Sequence, residues 1–517
     1  MYPNAPQSDF TASRQKELNG LIKRGVFEFV NADQVPTTAR LFNSRFVDEI
    51  KLVGTPEAYE KSRLVVQAYN DNDKKTVLTQ GPTIQRVSQL LILCLAVSIQ
   101  GLNIYLRDIS QAYTQSHTFL VRDFYVRPPQ ELNLPPGVLL KVLRPLYGIP
   151  EAGTHWFRTY HSHHTEKLKL QQASYDPCLL FTAKSDKDQT QAIVGLQTDD
   201  TLFAGNTVFK DKEQEELEKA QFPAKPLQKL TTSSPLEFNG ATLTKTSTGS
   251  ITISQSWQVK KITLIDTDNA TREQYITQRA RAAYIATVCH PQVAFGLSYA
   301  AQSTDSIPTK DDVTKLNKCL KWQTDNQDYG LTFVKLDVKT LKLVVFTDSS
   351  FANNKDYSSQ IGYVIVLADG YNNCNLIHWS SIKCRRVTRS VIASELYAMG
   401  HGFDYACVLK HTLDNILHTS NGIPITICID SFSLYECLVK LGTTNEKRLM
   451  IDLMTIRQAY ERREISEVIW IKGDHNPADT MTKHDGNKAL KRIIESNKLH
   501  MEMAGWVERE STMQTAE

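Results

Sequence analysis

The sequence lacks several features that would place it in a specialised class of protein. Its longest uninterrupted apolar run, residues 90–97, has eight residues, whereas a membrane-spanning helix needs about 20. The first residues, MYPNAPQSDF, have neither a basic start nor an apolar core, so they do not predict a secretory signal. We therefore expect a protein without a membrane partner that stays inside the cell, in the cytoplasm, in cytoplasmic particles or in the nucleus.

Closely spaced cysteine pairs and an excess of one charge are also missing. Nine cysteines are spread along 517 residues without a CxxC pair, which argues against a disulfide framework and against a cysteine-bound zinc site. They predict buried thiols in a reducing compartment. Because 59 Lys and Arg nearly balance 56 Asp and Glu, the net charge is only +3. Nucleic-acid binding must therefore be argued from individual sites.

What is present is a pattern of mixed α and β structure, long enough for about three domains. Residues 85–99 are almost continuously apolar and predict a buried helix, and residues 103–106 and 192–197 predict strands that are each followed by Asp. Residues 341–471 read as three strands, a helix, a strand, further helices and a last strand at 468–471. That order is typical of an independent α/β domain.

Two Asp-Asp pairs differ in their surroundings. Asp311 and Asp312 lie in the polar segment PTKDDVTK, which predicts acidic residues that open a helix. Asp199 and Asp200 lie in AIVGLQTDDTLFAGN, at the tip of an apolar hairpin, where either an exposed turn or a divalent cation accounts for them. Asp108 ends a strand in NIYLRDISQAYTQS and supplies a third carboxylate. Three such carboxylates can hold two Mg²⁺ ions about 4 Å apart, as nucleotidyl transfer requires.

These segments belong to a longer ordered set of blocks that resembles the reverse transcriptase of copia-type long-terminal-repeat retrotransposons. The blocks are SRQKELNGLIKRGVFEFV, KSRLVVQAYND, GPTIQRVSQLLILCLAV, DISQAYTQS, RPLYGIPEAGTHWF, DPCLLF, QTDDTLFAG, SQSWQVKKI and RARAAYIATVCHPQVAFGLSYAAQS. The resemblance implies a multidomain α+β protein: a right-hand polymerase of fingers, palm and thumb followed by a ribonuclease H-like α/β domain. The implied ranges are residues 1–265 for the polymerase, 266–338 for a connection, 339–490 for the ribonuclease H-like domain and 491–517 for a C-terminal tail, with ERESTMQTAE disordered.

The resemblance also implies roles for individual residues. Asp108, Asp199 and Asp200, here called the first carboxylate site, would be the catalytic, metal-binding residues of the palm. Four further residues would bind the incoming nucleotide. Tyr113 would exclude a ribose 2′-hydroxyl, Gly148 would lie against the templating pair, and two cationic side chains of the fingers would meet the triphosphate, namely Lys61 and Arg63.

The chain departs from the family pattern at two places. It has QTDD where the family usually has a YVDD-like turn, so an aromatic side chain near the primer end is missing. It has Gly153 where the family usually has Pro. Neither change removes a metal ligand, so we expect polymerase activity with an altered efficiency.

A second group of carboxylates follows in the C-terminal region. Taken singly, Asp348, Glu395, Asp430 and Asp479 could each be a helix cap or an exposed acid. Their segments, however, resemble the motifs of the retrotransposon ribonuclease H: the strand-end Asp, the SxxE helix, the D-S/N-x-S turn and the AD-x-x-TK block. These four residues are here called the second carboxylate site. The resemblance implies that they hold two Mg²⁺ ions, or Mn²⁺, and hydrolyse the RNA strand of an RNA:DNA hybrid. The 2′-hydroxyls would identify the RNA strand.

Two sets of histidines have alternative interpretations. His475 lies four residues before Asp479 and could assist product release or be a surface residue. His161, His163 and His164 could suggest zinc, but no matching pair of ligands lies nearby in the sequence. For these three we predict a solvated or partner-facing role.

The functional prediction is an enzyme that is both an RNA-directed DNA polymerase and a ribonuclease H. Its partners would be an RNA template, a DNA primer, RNA:DNA hybrid and deoxynucleoside triphosphates, with two Mg²⁺ ions at each site. The alternative is a catalytically inactive retrotransposon relic that only binds RNA or hybrid. The seven intact carboxylates favour the enzyme. Because no nucleocapsid, protease or integrase block is present, we expect a processed product, a truncated copy or a retained host gene. The sequence predicts no particular oligomeric state.

Overall fold

The computed structural model describes residues 9–51, 58–183, 189–303, 306–439 and 446–505. Among the helices of these residues, none combines the length and the apolar character that a membrane crossing requires. All nine cysteines are unpaired, and all except Cys407 are buried, which confirms the prediction of buried thiols.

The first part of the chain builds three sheets. A six-stranded sheet has the order β12-β5-β11-β10-β9-β8, a four-stranded sheet has the order β1-β7-β6-β2, and β3 pairs with β4. The elements are α1 (Thr11–Lys23), β1 (Phe27–Asn31), β2 (Leu41–Phe42), β3 (Ser44–Lys51), β4 (Tyr59–Val66), α2 (Arg86–Ser98), β5 (Asn103–Asp108), β6 (Phe124–Val126), β7 (Val138–Val142), α3 (Ala152–Ser162), β8 (Leu170–Gln172), β9 (Leu179–Thr182), β10 (Ala192–Gln197), β11 (Asp200–Gly205), α4 (Thr207–Lys219) and β12 (Gln228–Lys229). The helix predicted at 85–99 and the strands predicted at 103–106 and 192–197 are thereby confirmed.

The middle of the chain forms a smaller sheet covered by helices. Its strand order is β13-β14-β15-β16. The elements are β13 (Leu236–Phe238), β14 (Ala241–Lys245), β15 (Ile251–Ser254), α5 (Ser256–Val259), α6 (Arg272–Ala286), α7 (Ala294–Ala300), α8 (Lys310–Asp325) and β16 (Gly330–Phe333). Asp311 and Asp312 lie in the first turn of α8, as predicted. This sheet continues across residue 265, and the predicted domain ranges stay a prediction.

The C-terminal part is an α/β unit around one six-stranded sheet of order β19-β18-β17-β20-β21-β22. The central strand β17 runs antiparallel to β18 and parallel to β20, and α9 packs against β17 and β18. The elements are β17 (Lys342–Ser350), β18 (Gln360–Ala368), β19 (Cys374–Lys383), α9 (Val391–Leu417), β20 (Ile425–Ile429), α10 (Phe432–Val439), α11 (Met450–Glu461), β21 (Glu467–Ile471), α12 (Ala489–Ser496) and β22 (Met503–Gly505).

The end of the chain differs from the sequence-based expectation. β21 was expected to be the last strand, but β22 pairs with it in antiparallel fashion. The predicted tail boundary at 490 falls inside α12, whose Leu490, Ile493 and Ile494 are buried. These apolar side chains pack into the fold, so residues 491–505 do not behave as a polar tail. The segment ERESTMQTAE lies outside the described residues.

The helix α2 connects the two large sheets. It is buried on nearly all sides, with β5, β10 and β11 on one side and β19 on another. Asn375 of β19 donates a hydrogen bond to the Cys94 sulfur at 3.3 Å, and the Leu336 amide donates one to Ser98 Oγ at 3.2 Å. A helix apolar around its whole circumference needs such cover on every side. The six-stranded sheet of the first part of the chain and that of the C-terminal α/β unit are therefore joined through α2.

Candidate active sites

The three residues of the first carboxylate site lie at one end of neighbouring strands. β10 and β11 form an antiparallel hairpin in which Gln197 pairs with Asp200, so Asp199 lies in the turn. β11 also pairs with β5, and this register places Asp200 directly opposite Asp108. The amide of Ile109 donates a hydrogen bond to the Asp199 carbonyl at 2.9 Å. Strand pairing alone therefore brings together residues about ninety positions apart, as the sequence predicted.

Side chains of α3 support this hairpin turn. Thr198 has a φ of 55°, a left-handed conformation that is unfavourable for a β-branched residue. The Trp156 indole donates a hydrogen bond to the Thr198 carbonyl at 2.6 Å, and the Tyr160 hydroxyl lies 3.0 Å from Thr201 Oγ1. A strained turn persists only where its surroundings hold it. The QTDD departure therefore keeps a defined turn beside the carboxylates.

At the first carboxylate site, burial and the neighbouring negative charges disfavour the ionised form of Asp199 and Asp200. Burial, followed by the charges of Asp199 and Asp108, raises the pKa of Asp200 to about 7. Burial also raises the pKa of Asp199, and the charge of Asp108 adds to that effect. Buried carboxylates that repel one another and have raised pKa values are suited to bind a hard divalent cation such as Mg²⁺.

A cation that the sequence analysis missed already contacts this site. The Lys225 ammonium lies 2.5 Å from Asp108 Oδ2, and the Lys225 amide donates to the Asp108 carbonyl at 2.9 Å. Although burial opposes it, the hydrogen bond to Asp108 raises the pKa of Lys225. The two residues are 117 positions apart, and no local pattern around Lys225 indicates the pair.

The predicted triphosphate residues lie on one face of β4. Lys61 and Arg63 are two positions apart on a strand, so their side chains point the same way, and Arg63 forms an ion pair with Glu49 at 2.7 Å. Burial lowers the pKa of Lys61, and the charges of Arg63 and Lys225 lower it further, while Asp108 acts in the opposite sense. Lys61 therefore lies within the electrostatic reach of the first carboxylate site.

Tyr113 and Gly148 both line a cavity of about 260 Å³ that also touches Thr198. The Tyr113 ring lies 5.2 Å from the Tyr147 ring. Burial and the charge of Asp199 raise the pKa of the Tyr113 hydroxyl. Gly148 has a φ of +88°, and a Cβ there would meet the Val66 carbonyl oxygen at 2.0 Å. Only glycine fits this turn. The cavity thus places both residues near Thr198, the residue that precedes Asp199 in the hairpin turn.

The second carboxylate site forms around the central strand β17. Asp348 is near the end of β17, Glu395 is in the first turns of α9, and Asp430 directly follows β20. Ligand atoms of these three residues all lie within 4.8 Å of one another. Gly402 allows the close approach of α9, because a Cβ there would meet Val345 Cγ1 at 2.9 Å. In the described part of the chain, the first carboxylate site does not form a group this tight.

These three side chains fit a divalent cation. Burial raises the pKa of both Asp348 and Glu395, and the charge of Asp430 raises both further. The charge of Asp348 also raises the pKa of Glu395. Glu395 Oε1 accepts a hydrogen bond from Ser349 at 2.8 Å, whereas Glu395 Oε2 is buried without a partner. A buried carboxylate oxygen without a donor is costly. An all-oxygen set with one free buried ligand suits Mg²⁺ or Mn²⁺.

Asp479 is at the same site but outside the tight group. Its carboxylate accepts hydrogen bonds from the Lys483 ammonium and, at 2.7 Å, from the Asn487 amide. Lys483 also lies 3.6 Å from Asp348 Oδ2, and Thr482 donates a hydrogen bond to the same Asp348 oxygen. The AD-x-x-TK block contains Thr482 and Lys483, but the sequence analysis gave them no role.

The sequence is similar to known proteins over most of its length. Residues 26–274 match the family model described as reverse transcriptase (RNA-dependent DNA polymerase). This segment is therefore similar to the reverse transcriptase family. The chain is 21% identical to the transposon Ty1-DR6 Gag-Pol polyprotein of Saccharomyces cerevisiae and 22% identical to the Ty1-JR2 polyprotein, over 90% of its own length. It spans only 28% of the length of these relatives. The resemblance to copia-type retrotransposon reverse transcriptases is confirmed.

The fold is similar to that of a solved reverse transcriptase. The structure of the foamy viral protease-reverse transcriptase in complex with dsDNA matches with a TM-score of 0.50 and 15% identity, covering 88% of this chain and 82% of that chain. This similarity confirms the predicted fold class, a multidomain α+β protein with a polymerase-like architecture.

The histidines that follow α3 correct one prediction. His163 and His164 are buried, so the solvated or partner-facing role is wrong for both. A π-helical turn, His163–Lys167, follows α3 and packs both rings around Tyr160. Burial accordingly lowers the pKa of His163 to about 4 and that of His164 to about 3. His475 Nε2 lies 3.7 Å from Glu502.

Proposed function

We propose that this chain is an RNA-directed DNA polymerase that copies an RNA template into DNA by nucleotidyl transfer with two metal ions. One observation carries the proposal: within the segment that matches the reverse transcriptase family, Asp200 pairs directly with Asp108 and Asp199 occupies the adjoining turn. The three carboxylates would hold the metal ions. The predicted ranges of fingers, palm and thumb (1–265) and of the connection (266–338) are part of this proposal.

The nucleotide-binding residues are proposed from the contacts around this site. Lys61 and Arg63 would bind and orient the triphosphate, because both cations lie on the face of β4 whose charges act on the carboxylates. Tyr113 would stand as a steric wall against a 2′-hydroxyl. Gly148 would let the backbone approach the base pair, since its turn has no room for a side chain.

We further propose a ribonuclease H activity in the C-terminal unit (339–490), which would cleave RNA in RNA:DNA hybrids. The tight group of Asp348, Glu395 and Asp430, with its unpaired buried oxygen, supports this proposal. Bound Mg²⁺ or Mn²⁺ ions would supply an activated oxygen nucleophile and stabilise negative charge on the phosphate at both centres. The chain itself fixes the ligands: Ser349 orients Glu395, and Thr482 orients Asp348.

The proposed partners are an RNA template, a DNA primer, RNA:DNA hybrid and deoxynucleoside triphosphates, and the proposed site of action is inside the cell. The test is extension of a DNA primer on an RNA template with all four deoxynucleotides and Mg²⁺, with cleavage of a preformed hybrid measured separately. DNA synthesis that depends on Asp199 would support the proposal. A protein that binds the hybrid but neither extends nor cleaves would be the inactive relic instead.

A further inference from the structure

The four residues of the second carboxylate site are not equivalent. Three of them, Asp348, Glu395 and Asp430, have ligand atoms within 4.8 Å of one another, and Glu395 Oε2 is buried without a partner. The fourth, Asp479, already has a cationic partner in Lys483 and an amide donor in Asn487. The Lys483 ammonium contacts Asp479 directly and lies at the edge of the group of three, 3.6 Å from Asp348 Oδ2. An ion that uses Asp479 must therefore displace this cation from its direct contact.

Lys483 touches both carboxylates that such a second ion would share. Its ammonium contacts Asp479 Oδ1 directly and lies 3.6 Å from Asp348 Oδ2. The side chains of these two carboxylates are 13% and 4% exposed, while that of Lys483 is 45% exposed. A partly exposed lysine on a flexible stem can move to another anion, whereas the two buried carboxylates cannot move away.

We propose that Lys483 is a resident cation that occupies the second metal position of the nuclease centre, between Asp348 and Asp479, until a hybrid is bound. The proposal rests on the proposed ribonuclease H function. The first ion binds at Asp348, Glu395 and Asp430 in the free protein. The second ion must displace the Lys483 ammonium, which then finds a new partner in the phosphate backbone of the substrate. Full metal occupancy is thereby tied to the presence of nucleic acid.

The experiment measures Mn²⁺ binding by electron paramagnetic resonance, with the full chain and without nucleic acid. The parent carries Asp108→Asn and Asp199→Asn, so that the first carboxylate site does not contribute to the signal. We expect about one bound ion in the parent and two in Lys483→Met, with a dissociation constant for the second ion about tenfold lower than in the parent. Lys483→Arg keeps the positive charge and should restore the single-ion behaviour.

Lys410→Met is the matched control. Lys410 pairs with Asp414 at 2.7 Å and is fifteen residues beyond Glu395 on α9, which is about 22 Å away at 1.5 Å per residue. This variant removes the same charge and should bind Mn²⁺ as the parent does. Equal Mn²⁺ stoichiometry and affinity in Lys483→Met and the parent, with both folded by circular dichroism, would overturn the proposal.

A further variant separates this proposal from the proposed function. Glu395→Gln in the parent should abolish the first Mn²⁺ ion, because it withdraws a ligand from the group of three. If the parent bound no ion, or if Glu395→Gln changed nothing, the nuclease centre itself would be refuted, and the role of Lys483 with it. If Glu395→Gln lost the ion while Lys483→Met gained none, only the role of Lys483 would be refuted.

Discussion

Asp200 lies directly opposite Asp108 in the antiparallel pairing of β11 with β5, and Arg107, next to Asp108, forms a buried ion pair with Glu213 of α4 at 2.7 Å. The register of two strands thus sets the spacing of two carboxylates, and a buried ion pair fixes the strand that carries one of them. Buried pairs of this kind are strongly destabilising when one partner is removed. The strand that carries Asp108 is therefore anchored to α4 beside the first carboxylate site.

Asp199→Asn should reduce primer extension on an RNA template by about 10³ or more, because it withdraws charge from the place where charge develops in the reaction. Single-turnover extension measures the effect. Asp211→Asn, an exposed acid on α4 whose side chain is 65% accessible, is the matched control and should extend as the unchanged protein does. Near-normal extension by Asp199→Asn would rule out the proposed mechanism.

Tyr113→Ala should admit ribonucleotides while deoxynucleotide incorporation stays measurable, because the change removes a steric wall and no catalytic group. The measurement is the ratio of incorporation efficiencies for a ribonucleotide and its deoxy counterpart. Tyr113→Phe keeps the ring and should keep the ratio of the unchanged protein. An unaltered ratio in Tyr113→Ala would exclude this residue as the gate.

Glu395→Gln should abolish hybrid cleavage while RNA-templated synthesis persists. Asp108→Asn should do the reverse, because each residue belongs to only one of the two carboxylate sites. Both activities are measured on the same preparations, with melting temperature as the test of folding. Loss of both activities in a folded single variant would show that the carboxylates act through one centre.

Gly148→Ala should lower the melting temperature more than Gly249→Ala. Both glycines have a φ of +88°, so both substitutions carry the left-handed strain of about 1–2 kcal/mol. A Cβ at residue 249 meets nothing within 4 Å, whereas one at residue 148 meets the Val66 carbonyl oxygen at 2.0 Å. The difference between the two melting temperatures measures the collision alone. Equal losses would mean that the turn at Gly148 can open without cost.

Asp200→Asn should stabilise the metal-free protein at and above neutral pH. The pKa of Asp200 rises from 3.8 to about 7 on folding, so the folded protein holds this proton more tightly than the unfolded chain does. The resulting stability is fully present below about pH 3.8 and is lost as the pH rises through about 7. In the presence of a chelator, Asp200→Asn should exceed the unchanged protein in melting temperature above pH 7, and the gap should shrink at pH 5. A gap that does not vary with pH would contradict this assignment.

The sequence predicted those parts of the sites that depend on local patterns. The apolar run of α2, the β10–β11 hairpin and the strand that carries Asp348 could each be predicted from residues close in the chain. The partners of the carboxylates could not, because Lys225 approaches Asp108 from 117 positions away. The burial of His163 could not be predicted either, since a π-helical turn leaves no clear periodicity in the sequence.

The helix α2 also has a consequence for how the proposed enzyme would move along a duplex. Its packing between β5, β10 and β11 on one side and β19 on another sets the distance between the two carboxylate sites. If one duplex occupies both centres, that distance is a constant number of base pairs. The nuclease would then cut the RNA strand at a constant distance behind the growing primer end. The packing of α2 would thereby determine the length of the RNA fragments.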